Sequence, residues 1–415
     1  MFAWVDEIAF RRPERARAHM MQLMAGVPET TLVRVRYLLE SAPDPDRALD
    51  YLTRLWERSP EMFARLTRTA AGLHSLVAVF CQSSFLSEEV LQRPEWLEEL
   101  CASGDLHRTI SLETMIERLE RFLPEGVPEA VSLARFRRRE MLRILLRDVR
   151  GIVPLPEVAG ELSTLADAVL EVSYRRIRAA LEVRFGVPRD IEGRACGFSV
   201  LAMGKLGGEE LNYSSDIDLM FVYSGGLSNQ EFFRRLATQL TELLSSYTAE
   251  GMCYRVDLRL RPDGRLGEIA LTLDAAKKYY STRGRDWELQ MLIKARVAAG
   301  DRTVGQALLD FASTLTYSTS TDFSDIERLS ATRERLNEKL TARQLKWGIA
   351  EKIKQRGSGI DVKLENIDST TMTAKYRNAD FENHIRIRAT ASDQWTGVTS
   401  YDSGIKATRA GGIGI

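Results

Sequence analysis

A run of small residues, Gly204-Lys205-Leu206-Gly207-Gly208, leads into Ser214-Ser215-Asp216-Ile217-Asp218-Leu219, and no other segment constrains the fold as much. Phe198 to Met203 reads as a buried strand ahead of the glycines. After them, Ile217, Leu219, Met220, Phe221 and Val222 are mostly strand formers. Side chains alternate faces along a strand, so Asp216 and Asp218 project the same way. Adjacent carboxylates repel unless positive charge lies between them. A divalent metal is the usual resolution, and Mg²⁺ is normally held by one or two carboxylates together with substrate phosphates. The pattern points to phosphate chemistry at the end of a sheet.

A second piece of the pattern is Tyr254 to Pro262, YRVDLRLRP. Strict alternation predicts a strand over Cys253–Leu260. Val256, Leu258 and Leu260 would enter a core, and Asp257, Arg259 and Arg261 would share the other face. Asp257 would complete a trio of metal ligands with Asp216 and Asp218. Arginine grips phosphate oxygens in bidentate fashion, which gives Arg259 and Arg261 a role. Arginines on a strand are otherwise surface ion pairs, and the neighbouring acidic pair weighs against that reading here. Gly204 closes the first strand, while Gly207 and Gly208 permit positive φ and close backbone approach. Such a loop can cradle phosphate with its N–H groups. Lys205 is either a phosphate ligand or a surface charge. Ser215 either bonds a terminal phosphate or caps the strand.

The rest of the chain frames these segments. At 415 residues it has room for two or three domains. Residues 1–190 read as a helical N-terminal region, with apolar three- and four-residue spacing over 33–39, 48–56, 60–80 and 86–100. Breaks fall near Ala42-Pro43-Asp44-Pro45, Arg93-Pro94 and Leu123-Pro124-Glu125-Gly126. Ser111 is the expected N-cap of another helix. Phe136–Val149 reads as a basic amphipathic helix, and Leu162–Phe185 as a long one ending at Gly186. Residues 191–305 read as a mixed α/β domain that would carry this phosphate chemistry. Its later elements are a helix over Asn229–Ala249 with Phe232, Leu236, Leu240, Leu243 and Leu244 inward, a short strand over Ile269–Leu273, a helix over Ala275–Tyr280 and another over Asp286–Ala299. On that last helix Glu288, Lys294 and Arg296 could share a face. Residues 306–364 read as a helical connector, with a charged helix from Asp325 to about residue 356, and 365–415 as an atypical tail. No leucine follows Leu364, and the tail is rich in Thr, Ser, Ala and Gly, so poor order is expected apart from strand-like alternation at His384–Arg388. The expected class is α+β.

These segments closely resemble the glutamine synthetase adenylyltransferase/adenylyl-removing family, within the polymerase-β-like nucleotidyltransferase superfamily. The resemblance is carried by Met203–Phe221, Val256–Gly264 and Trp287–Asp301, with support from Ser83–Leu97, Phe136–Asp148 and Asp322–Glu327. It covers roughly residues 55–364. It implies a small mixed catalytic sheet and metal-dependent transfer of AMP to or from a tyrosine of glutamine synthetase. Two Mg²⁺ ions, with Mn²⁺ as the alternative, would sit on Asp216, Asp218 and Asp257. Gly204, Lys205, Gly207, Gly208, Ser215, Arg259 and Arg261 would contact nucleotide or phosphate, and Asp257 could also act as a base. ATP, ADP and inorganic phosphate would be substrates or products, and a PII-type signalling protein would be a regulatory partner. Family members carry two related halves. The wording RVDLRLRP and IKARVAAGD resembles the N-terminal half, which removes AMP with phosphate and yields ADP. Transfer from ATP and a silent docking fragment are the alternatives.

Other classes are disfavoured. The 58 basic and 58 acidic residues balance, whereas nucleic-acid binders usually carry a basic excess. No stretch approaches the roughly 18 apolar residues of a membrane span. The N-terminus MFAWVDEIAFRRPER lacks the form of a signal peptide. Cys81, Cys101, Cys196 and Cys253 lack metal-ligand spacing and read as reduced packing residues of a cytoplasmic protein. None of the four histidines looks catalytic.

Overall fold

Proline and short polar side chains punctuate the helical region. A computed structural model describes residues 7–316 and two strand segments, Arg386–Ile387 and Val398–Thr399. The first helices are α1 (Pro13–Met24), α2 (Glu29–Glu40), α3 (Pro45–Arg58), α4 (Pro60–Arg68), α5 (Ala70–Gln82), α6 (Ser84–Gln92) and α7 (Pro94–Ser103). Then come α8 (Leu112–Phe122), α9 (Ala130–Val149) and α10 (Leu155–Phe185). Proline opens α1, α3, α4 and α7, where its missing N–H leaves no helical bond unmade. Ser111 caps α8 as expected, accepting from the Thr114 N–H, and α10 stops at Gly186. The run expected over residues 60–80 breaks at Thr69. Its side chain accepts from the Gly72 N–H and starts α5 afresh. Gly72 is needed there, because a Cβ would sit 2.1 Å from the Leu66 carbonyl oxygen.

The chain continues through β1 (Phe198–Met203), a single helical turn α11 (Gly204–Gly207), β2 (Ile217–Tyr223), α12 (Gln230–Ser245), β3 (Val256–Asp257) and β4 (Ala270–Thr272). α13 (Leu273–Thr282), α14 (Asp286–Leu292), β5 (Arg296–Gly300) and α15 (Arg302–Thr316) follow. The sheet runs β3-β2-β1-β5, with β4 also pairing β2. β1 is antiparallel to β2 and β5, whereas β3 and β4 run parallel to β2. The architecture is the expected α+β, with a small mixed sheet. α15 spans residue 305 and packs on β1 and β5.

Three expectations are corrected. The strand over Cys253–Leu260 shrinks to Val256–Asp257, because the chain turns immediately afterward. The helix over Asp286–Ala299 ends at Leu292, and Arg296–Gly300 instead supplies the outer partner of β1. In α12 the inward aromatic is Phe233; Phe232 and Leu243 are only half-buried. The charged helix from Asp325 lies outside the described residues. In the second compact unit, residues 319–415, Arg386–Ile387 pairs antiparallel with Val398–Thr399.

β1 and β2 are buried on both faces, so they read as continuous apolar runs. Phe198, Val200, Leu219 and Phe221 pack toward α10 and α12, and Leu201, Met203, Met220 and Val222 toward α13 and α15. α9 is not one-faced. Leu142, Leu145 and Leu146 join the core of α1–α7, while Phe136, Met141 and Ile144 join that of α8–α10 and the sheet. Its Arg143 and Arg147 are buried and paired with Glu140, Glu157 and Glu161. All four cysteines are free thiols, three of them buried.

Candidate active site

The sheet register assembles the acidic residues. β2 and β3 pair in parallel with Asp218 opposite Asp257, and residues opposite each other share a face. Asp218 is also paired with Met203, the last residue of β1, so the glycine turn begins beside it. That approach is close: a Cβ on Gly204 would lie 2.5 Å from the Asp218 carboxylate, and Gly204 has φ of +54°. Only glycine meets both conditions. Asp218 is the one residue of β2 that is not fully buried. Asp216 lies just before the strand, two residues along.

The turn departs from expectation in where its strain falls. Gly207 and Gly208 do not take positive φ. Gly207 serves close approach, since a Cβ there would sit 2.4 Å from the Lys294 carbonyl oxygen. The left-handed residue is Glu209, φ +54°. Its N–H bonds the Leu206 carbonyl at 3.2 Å and the Glu210 N–H bonds that of Lys205 at 2.8 Å. This is a Schellman closure with glutamate where glycine is usual.

Electrostatics single out Asp218. Its burial, then the charges of Asp257 and Asp216, push its pKa up to about 6, with Arg259 and Lys205 offsetting only part. Asp257 moves the other way. Burial would raise it, but hydrogen bonds from the Arg259 side chain and N–H hold it below the usual carboxylate range. A carboxylate held ionised in this way can accept from a cation or an N–H donor. Asp216 is paired with Arg255. Arg255 shares the parity of Asp257, Arg259 and Arg261, and that spacing is its one signal in the sequence.

The remaining candidates are placed as follows. Lys205 is exposed and within charge range of Asp218. Ser215 donates to the Asn212 side chain at 2.5 Å, inside its own loop. Arg261 turns from the acidic group and donates to the carbonyls of Leu258, Gly267 and Glu268, closing the loop that ends β3. Glu288 is buried and accepts from Tyr279 Oη and the Arg285 N–H, so it caps α14 and does not share a face with Arg296. Lys294 pairs with Glu210, and Arg296 with Asp167 of α10. The loop between turn and strand is also tied to α9: Tyr213 Oη donates to Asp148 at 3.0 Å, and Arg137 donates to the Tyr213 carbonyl at 3.1 Å.

Among the described residues no three acidic, histidine or cysteine side chains stand converged as a metal site, because Asp216 and Asp257 are each turned onto an arginine. The donor set still fits a hard divalent cation. It consists of carboxylate oxygens, and positive charge compensates the central carboxylate only in part. Among the described residues, no helix is long and apolar enough to cross a membrane.

A helical region feeding a small mixed sheet, with three aspartates and a glycine turn at one end, is an α+β protein of the kind the resemblance implies. Comparison with known proteins narrows this. The family model for glutamate-ammonia ligase adenylyltransferase matches residues 73–311, and the chain belongs to that family. A bifunctional glutamine synthetase adenylyltransferase/adenylyl-removing enzyme of Thioalkalivibrio sulfidiphilus is 38% identical over 301 residues, covering 70% of this chain and 30% of the relative. Enzymes of the same name from Pseudomonas syringae pv. tomato (36% over 325 residues, 74% of this chain, 32% of the relative) and Nitrosococcus oceani (38% over 308, 71% and 30%) are also similar. The chain spans about a third of the length of these curated relatives.

Proposed function

We propose that this chain is a metal-dependent nucleotidyltransferase acting on glutamine synthetase, and that it removes AMP from an adenylylated tyrosine by phosphorolysis, yielding ADP. The observation that carries the chemistry is the placing of Asp218 opposite Asp257 beside the Gly204 turn. The direction rests on the wording of Arg255–Pro262 and Ile293–Asp301, which resembles the removing half of the family. A PII-type signalling protein is the expected regulatory partner, and the cytoplasm the expected compartment.

Asp216, Asp218 and Asp257 would hold Mg²⁺. Bound there, the cation supplies Lewis acidity that withdraws charge from phosphoryl oxygens. The chain's own groups do the rest. Arg259, at the sheet end, offers a guanidinium fork to the incoming phosphate. Lys205 adds positive charge beside Asp218. Gly204 lets the turn lie against the Asp218 carboxylate, where any side chain would clash. An oxygen of inorganic phosphate attacks the phosphorus of the tyrosyl-AMP diester, the bond from phosphorus to the tyrosine oxygen breaks, and the phosphate's proton ends on the tyrosine.

The test supplies adenylylated glutamine synthetase, Mg²⁺ and inorganic phosphate to the chain and follows ADP. Phosphate-dependent ADP that disappears in Asp216→Asn, with the fold intact by circular dichroism, is expected. AMP transfer from ATP to unmodified glutamine synthetase, without ADP release, would reverse the direction. Retained turnover and unchanged metal dependence in Asp216→Asn would sink the carboxylate assignment.

A further inference from the structure

The turn that carries Gly204 is strained, and something must hold it. Glu209 sits at φ +54°, a conformation that a residue with a Cβ adopts at a penalty of about 1 kcal/mol. The Leu206 carbonyl, which accepts the closing bond from Glu209, also accepts from Arg296 at 3.1 Å. The same guanidinium forks onto Asp167 of α10, at 2.7 and 3.1 Å. Its Nε is buried without a hydrogen bond and lies 3.7 Å from the Glu209 carboxylate. Asp167 itself is only 7% exposed. One side of the turn thus leans on the Asp218 carboxylate and the other on a buried ion pair spanning α10 and β5.

We infer that Asp167 and Arg296 are a positioning pair, which fixes the strained Gly204–Glu210 turn against Asp218. Neither side chain is assigned contact with substrate. Arg296 acts through the Leu206 carbonyl, and Asp167 acts by aiming Arg296. Lysine cannot replace this arginine, because one ammonium cannot reproduce the planar fork and the carbonyl bond together. The consequence for turnover rests on the proposed nucleotidyl transfer; the consequence for the turn does not.

The experiment uses the full chain and two readouts. The first is amide hydrogen exchange without substrate. In Arg296→Lys and Asp167→Asn, exchange at Glu209 and Glu210 is expected to speed up about tenfold or more, with the amides of β1 and β2 unchanged. Adding Glu209→Gly to Arg296→Lys removes the strain, and slower exchange at residue 210 is expected again. The second readout is phosphate-dependent ADP release, with kcat/KM expected to fall tenfold to about a hundredfold in Arg296→Lys through misplacement of the turn. Unchanged exchange at Glu209 and Glu210, or uniform acceleration across the unit, would overturn the positioning role. If the parent chain releases no ADP while the local exchange effect appears, the pair stands and the functional reading falls. Arg296→Lys keeps charge and bulk, so Asp167→Asn failing to fold would leave the test intact.

Discussion

Glu161 and Asp218 are both carboxylates set among charged neighbours, and they are treated in opposite ways. Glu161, 2% exposed on α10, accepts from Arg143 at 2.9 Å and also pairs with Arg147. Two guanidiniums on α9 answer its charge, and Glu140 and Glu157 complete the network. Asp218, at the sheet end, faces two further carboxylates, and Arg259 and Lys205 balance them only in part. A site that closes its own charge holds helices together. A site that leaves charge open suits the cation proposed for it. The residue types are the same; the neighbours decide.

The largest effect expected from this contrast is at Glu161. Removing it takes one of two carboxylate partners from each of Arg143 and Arg147 in the core and leaves them only Glu140 and Glu157, so Glu161→Ala should lose about 3 kcal/mol in urea unfolding. A loss below about 1 kcal/mol would mean that the network does not carry the packing of α9 on α10. The opposite sign is expected at Asp218. Its folded pKa of about 6 lies above the unfolded value, so the ionised carboxylate weakens the cation-free fold. The sign follows from proton uptake. Between pH 4 and 6 the folded state holds the proton that the unfolded state has released, and stability falls as pH rises. Asp218→Asn should therefore be more stable than the parent at pH 7.5 without divalent cation, by roughly 1 kcal/mol once partial exposure is discounted for screening. The difference should vanish below about pH 4, where both states of the parent are protonated. A less stable Asp218→Asn at pH 7.5 would break the comparison. The smallest effect is expected at Arg259, whose side chain is 49% exposed. Arg259→Ala should change stability by less than about 1 kcal/mol, yet slow ADP release; a large unfolding penalty would place it with the structural arginines of α9.

The sequence made the chemistry of the sheet end readable and much of its geometry unreadable. Asp216, Asp218 and Asp257 stand out because two local patterns, Asp-x-Asp and an alternating Val-Asp-Leu-Arg, are each carried by one short segment. Alternation continues to Leu260, past the end of β3, while Arg259 and Arg261 bond nearby groups and close a loop instead. Local side-chain bonds of this kind leave no trace in a hydrophobic period. The exchange of helix for strand at Arg296–Gly300 is a tertiary override. Ala298 and Ala299 favour helix, but β1 needs an outer partner. Asp167 was invisible because it lies on α10, far along the chain from the turn it serves through Arg296.

The order of strands along the chain has a consequence for synthesis. β1 is an inner strand of the sheet and almost wholly apolar, yet its partner on one side is β5, with Ser199 pairing Gly300. Until the ribosome has delivered that segment, β1 presents a bare edge, the kind that recruits other chains. A version cut just before Arg296 would therefore keep every carboxylate of the site and still be the one most prone to aggregate.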